Sequence, residues 1–333
     1  MKNKLMSLSK IYYFFAFLLL MVIFLPGDFF LDIITMTFIW GAVASAWNIS
    51  GGYAGQFSLG HAGFLGVGAY TSSLLYINFH ISPWVGMIIG GILAALFALI
   101  IGVLCFRLKG PFYTLATIAF AELVFISTTQ LREITNGSMG IQLPFESGIA
   151  NFIFEETRTY AILSFILLMI VFLISSYIKN SKIGYYLIAM REDPDAASSL
   201  GVNIKFLKLF ATGLSAFLTA ICGTFLVQYI LFIEPANILS LSISIKIAMI
   251  AIVGGMNLPQ GPVIGAILLT PLELLLRGYT SDIAGLHLFL FGIILVLVVL
   301  FQPKGLAESK WKIRIKTFRW NGAKQDAAKQ DIA

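Results

Sequence analysis

Two groups of residues in this chain have types and spacings suited to chemistry. The first is the run REDPDAASSLGVN, Arg191 to Asn203, which places four charges in its first five residues and then interrupts them with small side chains. Asp193 is a preferred helix N-cap, Pro194 suits the first helical position because it has no N–H to leave unpaired, and Asp195 complements the positive end of the helix dipole. Gly201 fits a left-handed stop. These signals predict a helix of roughly two turns, too short to span anything. Arg191, Glu192, Asp193, Pro194, Asp195, Ala196, Ala197, Leu200 and Gly201 are its candidate functional residues, with Leu200 the one apolar knob on a surface of small side chains. Such a helix either docks into a groove of a partner or is a solvated amphipathic linker.

The second group consists of ionisable and polar side chains set singly in apolar sequence. Glu122 lies in ATIAFAELVFIS, Lys246 in SISIKIAMIAIV and Glu273 in LLTPLELLLRG, while Gln56, Ser58 and His61 follow a glycine cluster in NISGGYAGQFSLGHAG. Their chemistry would be ion pairing or the lining of a polar path. Glu273 stands four residues before Arg277, the spacing of a local helical pair. A pair between Glu122 and Lys246 is the other arrangement open to these charges. No catalytic residue emerges, because the sequence lacks a GxSG serine site, paired membrane aspartates and any metal motif. Cys105 and Cys222 are far apart, and His61, His80 and His287 lack ligand spacing, so no metal site is assigned. The absence of GxxxxGK[ST] means that ATP is not cradled here by that route.

The elements that must position these groups follow from composition. With 59% hydrophobic and only 11% charged residues in 333, the chain lies outside the range of soluble domains, so lipid is its solvent. An all-α polytopic membrane fold is expected. Apolar segments occur near 11–26, 29–48, 59–77, 84–106, 111–131, 160–178, 206–232, 241–255, 261–277 and 284–301. This predicts ten spans, or eight if the short eighth and ninth form a hairpin dipping partway in. The N-terminus has the basic start and apolar core of a signal sequence without a small-x-small cleavage site, and it reads as a retained first span.

Charge placement sets the orientation. Lys2, Lys4 and Lys10, then Arg107 and Lys109, then Lys179, Lys182, Arg191, Lys205 and Lys208, then the basic run from Lys304 onward, all fall on one side if the spans alternate. The positive-inside rule makes that side, and both termini, cytoplasmic. Residues 1–10 are thus a cytoplasmic N-terminus, 11–303 a transmembrane domain and 304–333 a basic cytoplasmic tail expected to be partly disordered. Within the domain, 179–205 is a cytoplasmic loop and 132–159 an external one large enough to receive a partner. The net charge of +6 is a topology signal, since the basic residues lack the aromatic interleaving of a nucleic-acid surface.

Small residues supply helix packing. Gly86, Gly90, Ala94, Ala98 and Gly102 recur every fourth position, a stripe that allows close backbone approach in lipid and suggests a central helix; Gly261 and Gly265 repeat the theme. From Ile33 to Phe106 no charged residue occurs, so the break at Gly51, Gly52 and Gly55 is either an irregular intramembrane segment, with Gln56, Ser58 and His61 along a polar path, or a tight cytoplasmic turn.

The run LIAMREDPDAASSLGVN resembles the cytoplasmic loop of the permease subunits of branched-chain amino-acid ABC importers, LivM type. GYAGQFSLGHAGFLGVGAYT, GPFYTLATIAFAEL, TNGSMGI and VGGMNLPQGPVIGA extend the resemblance, in order, over roughly residues 40–275. It implies that Arg191 to Gly201 is the coupling helix for two separate cytoplasmic ATPase subunits, which carry the ATP and Mg, while this chain binds no cofactor. It also implies a second homologous permease, an extracytoplasmic substrate-binding protein, a multi-pass location in the prokaryotic inner membrane, and alternating access as mechanism. Glu122 and Lys246 join Gln56, Ser58 and His61 as candidate pathway residues. Two departures are Lys246, where this family's SIE stretch leads one to expect Glu, and GGMNLPQGP, which lacks a further glycine. Rival readings are a permease for urea or short amides and an ion-coupled secondary transporter.

Overall fold

The computed structural model describes residues 27–105, 108, 110–279, 286–302 and 305–307, together with Phe15, Leu18 and Val22. The chain there is mainly helical. Helix α1 (Asp28–Asn48) runs directly into a π-helical turn (Ile49–Tyr53), and α2 (His61–Phe79), α3 (Pro83–Leu104) and α4 (Pro111–Gln130) follow. After the short α5 (Arg132–Thr135), a 3₁₀ turn (Gly137–Met139) and strand β1 (Ile141–Gln142), the long α6 (Thr157–Asn180) leads into α7 (Lys182–Glu192) and α8 (Pro194–Ser199). The remainder is α9 (Ile204–Ile230), β2 (Phe232–Ile233), α10 (Pro235–Ile238), α11 (Leu241–Gly254), α12 (Gly261–Tyr279) and α13 (Leu286–Phe301).

Seven stretches among the described residues are long and apolar enough to cross a membrane: 28–53, α3, α4, α6, α9, 235–254 and α12. The protein is a multi-pass membrane protein. Helices also occupy the expected spans at α2, rich in glycine and serine, and at α13, which has 16 residues. Of the expected first span only Phe15, Leu18 and Val22 are described. The assignments of residues 1–10 and of the tail other than Gly305–Ala307 lie outside the described residues.

The core forms around α9, 78% of whose apolar window is buried, because α1, α2 and α3 all pack on it. Backbones come close where side chains are absent: a Cβ on Gly90 would lie 3.0 Å from Gly68 Cα, and the Thr224 hydroxyl donates to the Gly68 carbonyl at 3.0 Å. Gly86, Gly90, Ala94, Ala98 and Gly102 are all buried on one side of α3. The other side exposes Ile88, Ile92, Leu96 and Ile100, so α3 is peripheral in this chain and not central as expected. A small-residue stripe is one-sided and needs partners on one face only. Gly261 and Gly265 lie against the backbone of Gly255 and Ile250, joining α12 to α11.

The all-α expectation needs one addition. Leu231, at φ 58, ends α9, and Phe232–Ile233 then pairs antiparallel with Ile141–Gln142. The 132–159 connection is a folded cap: Trp84 Nε1–H donates to Ile149 O at 2.8 Å, and the Trp84 ring lies 4.2 Å from the buried ring of Phe152.

Candidate functional site

Three polar N-caps shape the 179–205 loop. Ser181 Oγ accepts from Gly184 N at 3.3 Å at the head of α7, and Asn203 Oδ1 accepts from Phe206 N at 3.0 Å at the head of α9. Between them, Asp193 Oδ1 accepts from Asp195 N and Ala196 N, both at 3.0 Å, with Pro194 in the first turn. Gly201, at φ 82, stops α8, and Val202 N–H donates back to Ala197 O at 3.1 Å. Side-chain capping and a left-handed glycine satisfy the groups a short helix leaves bare. Ala197 turns inward, whereas Leu200 is 85% exposed.

Arg191, in the last turn of α7, points inward. Its Nη1 donates at 2.8 Å both to Gly52 O, in the π turn, and to Asn257 Oδ1, in the connection from α11 to α12. Its Nε and Nη2 donate to Glu192 Oε1 at 3.2 and 2.7 Å, and the side chain is 27% exposed. Lys179 Nζ also donates to Asn257 O. A Cβ on Gly55, which has φ 68, would lie 2.5 Å from Arg191 Cγ, so glycine is required at that approach. A cavity of about 170 Å³ lies between the break and α8, lined among others by Gln56, Tyr113, Arg191, Pro194 and Lys208. One guanidinium therefore ties the capped loop, the helix break and the α11–α12 connection together. The sequence marked Arg191 as part of the loop surface; its inward reach needed the partner carbonyl, which side-chain types do not reveal.

Gln56, Ser58 and His61 share a polar cluster. Thr212 Oγ1 donates to Gln56 Oε1 at 3.0 Å, Trp47 Nε1–H donates to Ser58 O at 2.8 Å, and Ser215 Oγ donates to Ala46 O at 2.7 Å. With the Ser215 proton so used, the 2.8 Å contact of His61 Nε2 to Ser215 Oγ requires Nε2–H, and Nδ1 then accepts from Ser58 Oγ at 3.2 Å. Ser58 and His61 are fully buried, and of the three residues only Gln56 lines the cavity.

The membrane-embedded charges are arranged otherwise than expected. Lys246 Nζ is 2.7 Å from Glu273 Oε2 and 4.1 Å from the centroid of the Trp40 ring. Hence Lys246 pairs with Glu273 and not with Glu122, and Glu273 does not pair with Arg277. Cross-helix proximity of α11, α12 and α1 overrides the four-residue spacing. Glu122 is exposed in the middle of α4, and among the described residues it has no ion pair. A charge so placed would cost about 2.5–3.5 kcal/mol if it faced lipid. No cluster of three metal-ligating side chains occurs among the described residues, and Cys105 and Cys222 are free thiols.

The chain is thus a multi-pass helical bundle in which Arg191 joins the capped loop to the break after α1. The chain belongs to the family described as branched-chain amino acid transport system permease component, whose model matches residues 29–299. It is 28% identical over 298 residues to the high-affinity branched-chain amino acid transport system permease protein LivM of Escherichia coli (strain K12), covering 83% of this chain and 69% of that one. The probable LivM of Methanocaldococcus jannaschii is 24% identical over 84% of this chain and 94% of its own. The probable LivH of the same organism is 26% identical over 74% and 81%. Similarity to both LivM and LivH proteins indicates a transport system with another permease subunit. No solved structure matches.

Proposed function

We propose that this chain is a permease subunit of an ATP-driven importer of Leu, Ile, Val or related amino acids, and forms half of the translocation pathway. The observation that carries the mechanism is the position of Arg191, which stands in α7 two residues before the N-cap of α8 and binds Gly52 and Asn257. In this reading, Leu200 and the exposed side of α8 receive a cytoplasmic ATPase that holds ATP and Mg. Arg191 and its partner Glu192 pass the displacement to the break after α1 and to the α11–α12 connection. Alternating access is the two-state response of the bundle. The buried cluster of Ser58 and His61 serves as a hub that moves as one body, with Gln56 at its margin.

The same reading places ten spans in the prokaryotic inner membrane, both termini in the cytoplasm and the folded cap of 132–159 outside, where it receives a substrate-binding protein. A second, LivH-like permease completes the pathway. The test uses the whole importer purified from membranes. Leu200→Asp is expected to lose most of the co-purifying ATPase. Arg191→Ala is expected to retain it, and to retain ATP hydrolysis, while amino-acid uptake falls about tenfold. Wild-type uptake by both variants would overturn the assignment.

A further inference from the structure

We infer that the exposed face of α4 binds the substrate during passage, with Glu122 receiving its ammonium group. This rests on the reading of the chain as an amino-acid permease and names the contact that the cargo makes. Only 22% of the apolar window of α4 is buried, the least of the seven candidate spans. Its outward stripe runs Leu115, Ala119, Glu122, Ile126, at the three- and four-residue spacing of one helical face, and all four are exposed. Glu122 is the twelfth of 20 residues in the helix, so it stands near mid-depth.

Among the described residues it is the one exposed charged side chain at the middle of a membrane-length helix. Lys246, its expected partner, is engaged by Glu273. A carboxylate in that position is retained where it meets water or a cation and not acyl chains. The surroundings narrow the cation. Leu115 and Ile126 flank the carboxylate with aliphatic surface and Ala119 leaves room beside it, a pattern that matches a zwitterion bearing one ammonium beside a branched aliphatic side chain.

The experiment uses the complete importer in proteoliposomes, with L-leucine as the probe. Glu122→Gln should assemble with its partner subunits at wild-type yield and lower L-leucine uptake by about tenfold or more, the loss of one charge-assisted contact, and Glu122→Asp should restore most of it. Glu122→Cys should react with a membrane-impermeant cationic thiol reagent in at least one nucleotide state, and L-leucine-loaded binding protein should slow that reaction. Normal uptake by Glu122→Gln would overturn the inference while leaving the permease reading intact. Failure of Glu122→Gln to hold the second permease would also overturn it, because the carboxylate would then be an intersubunit ion-pair partner. Absence of labelling in every state would place the face against lipid and overturn it too. Should the wild-type importer carry urea and no amino acid, both the inference and the reading beneath it fall.

Discussion

At the scale of single residues, the contact between Gly55 and Arg191 sets the tightest condition. Gly55 combines φ 68 with an arginine methylene 2.5 Å from where a Cβ would sit. Gly201, the left-handed stop of α8, also has a positive φ, 82, but nothing lies within 4 Å of its Cβ position. A positive φ strains an alanine at either site by about 1 kcal/mol, so the comparison isolates the clash. Gly55→Ala should lower the unfolding temperature of the detergent-solubilised protein more than Gly201→Ala does, and should displace the guanidinium from Gly52. Equal shifts would show that Arg191 gives way freely and is no rigid link.

Among elements, α8 is the one whose fold rests most on a single side chain. Asp193 accepts two of the backbone N–H groups at its head, and a six-residue helix has little else to hold it. Asp193→Ala should cost about 1 kcal/mol locally, seen as faster amide exchange at Asp195–Ser199 with α7 and α9 unchanged; Asp193→Asn should behave nearly as wild type. This helix was legible in the sequence because caps and stops are local signals. The long helices were legible for a different reason, since apolar runs in lipid leave the backbone few alternatives. Three things were not. The π turn at Ile49–Tyr53 continues α1 where the glycines suggested an irregular segment or a tight turn, because Trp47, Asn48 and Met256 crowd the space that side chains would have filled. The pairing of Lys246 depends on how α11 and α12 cross, and the β1–β2 ladder joins segments far apart in the chain, Ile141–Gln142 and Phe232–Ile233. Each is a long-range event without a periodic signature.

For the whole molecule, the Lys246–Glu273 pair and the Trp40 ring beneath it bind α11, α12 and α1 into one block. Removing one partner strands a charge within the bundle. Lys246→Met or Glu273→Gln alone should therefore destabilise the purified protein by about 2–3 kcal/mol, whereas the double variant Lys246→Met/Glu273→Leu should recover most of that loss in a thermal-shift measurement. A double variant no better than the singles would mean that the pair does not stabilise the block as a unit. The block has one more tie. Leu306 and Ala307 N–H groups donate to Val253 and Gly254 carbonyls, both at 2.9 Å, so the end of α11 is capped by the segment that follows α13. Those carbonyls are synthesised long before the residues that cover them. Until the ribosome has delivered this segment, those two carbonyls lack the N–H groups that pair with them, so the end of α11 is completed only after nearly all of the chain has been made.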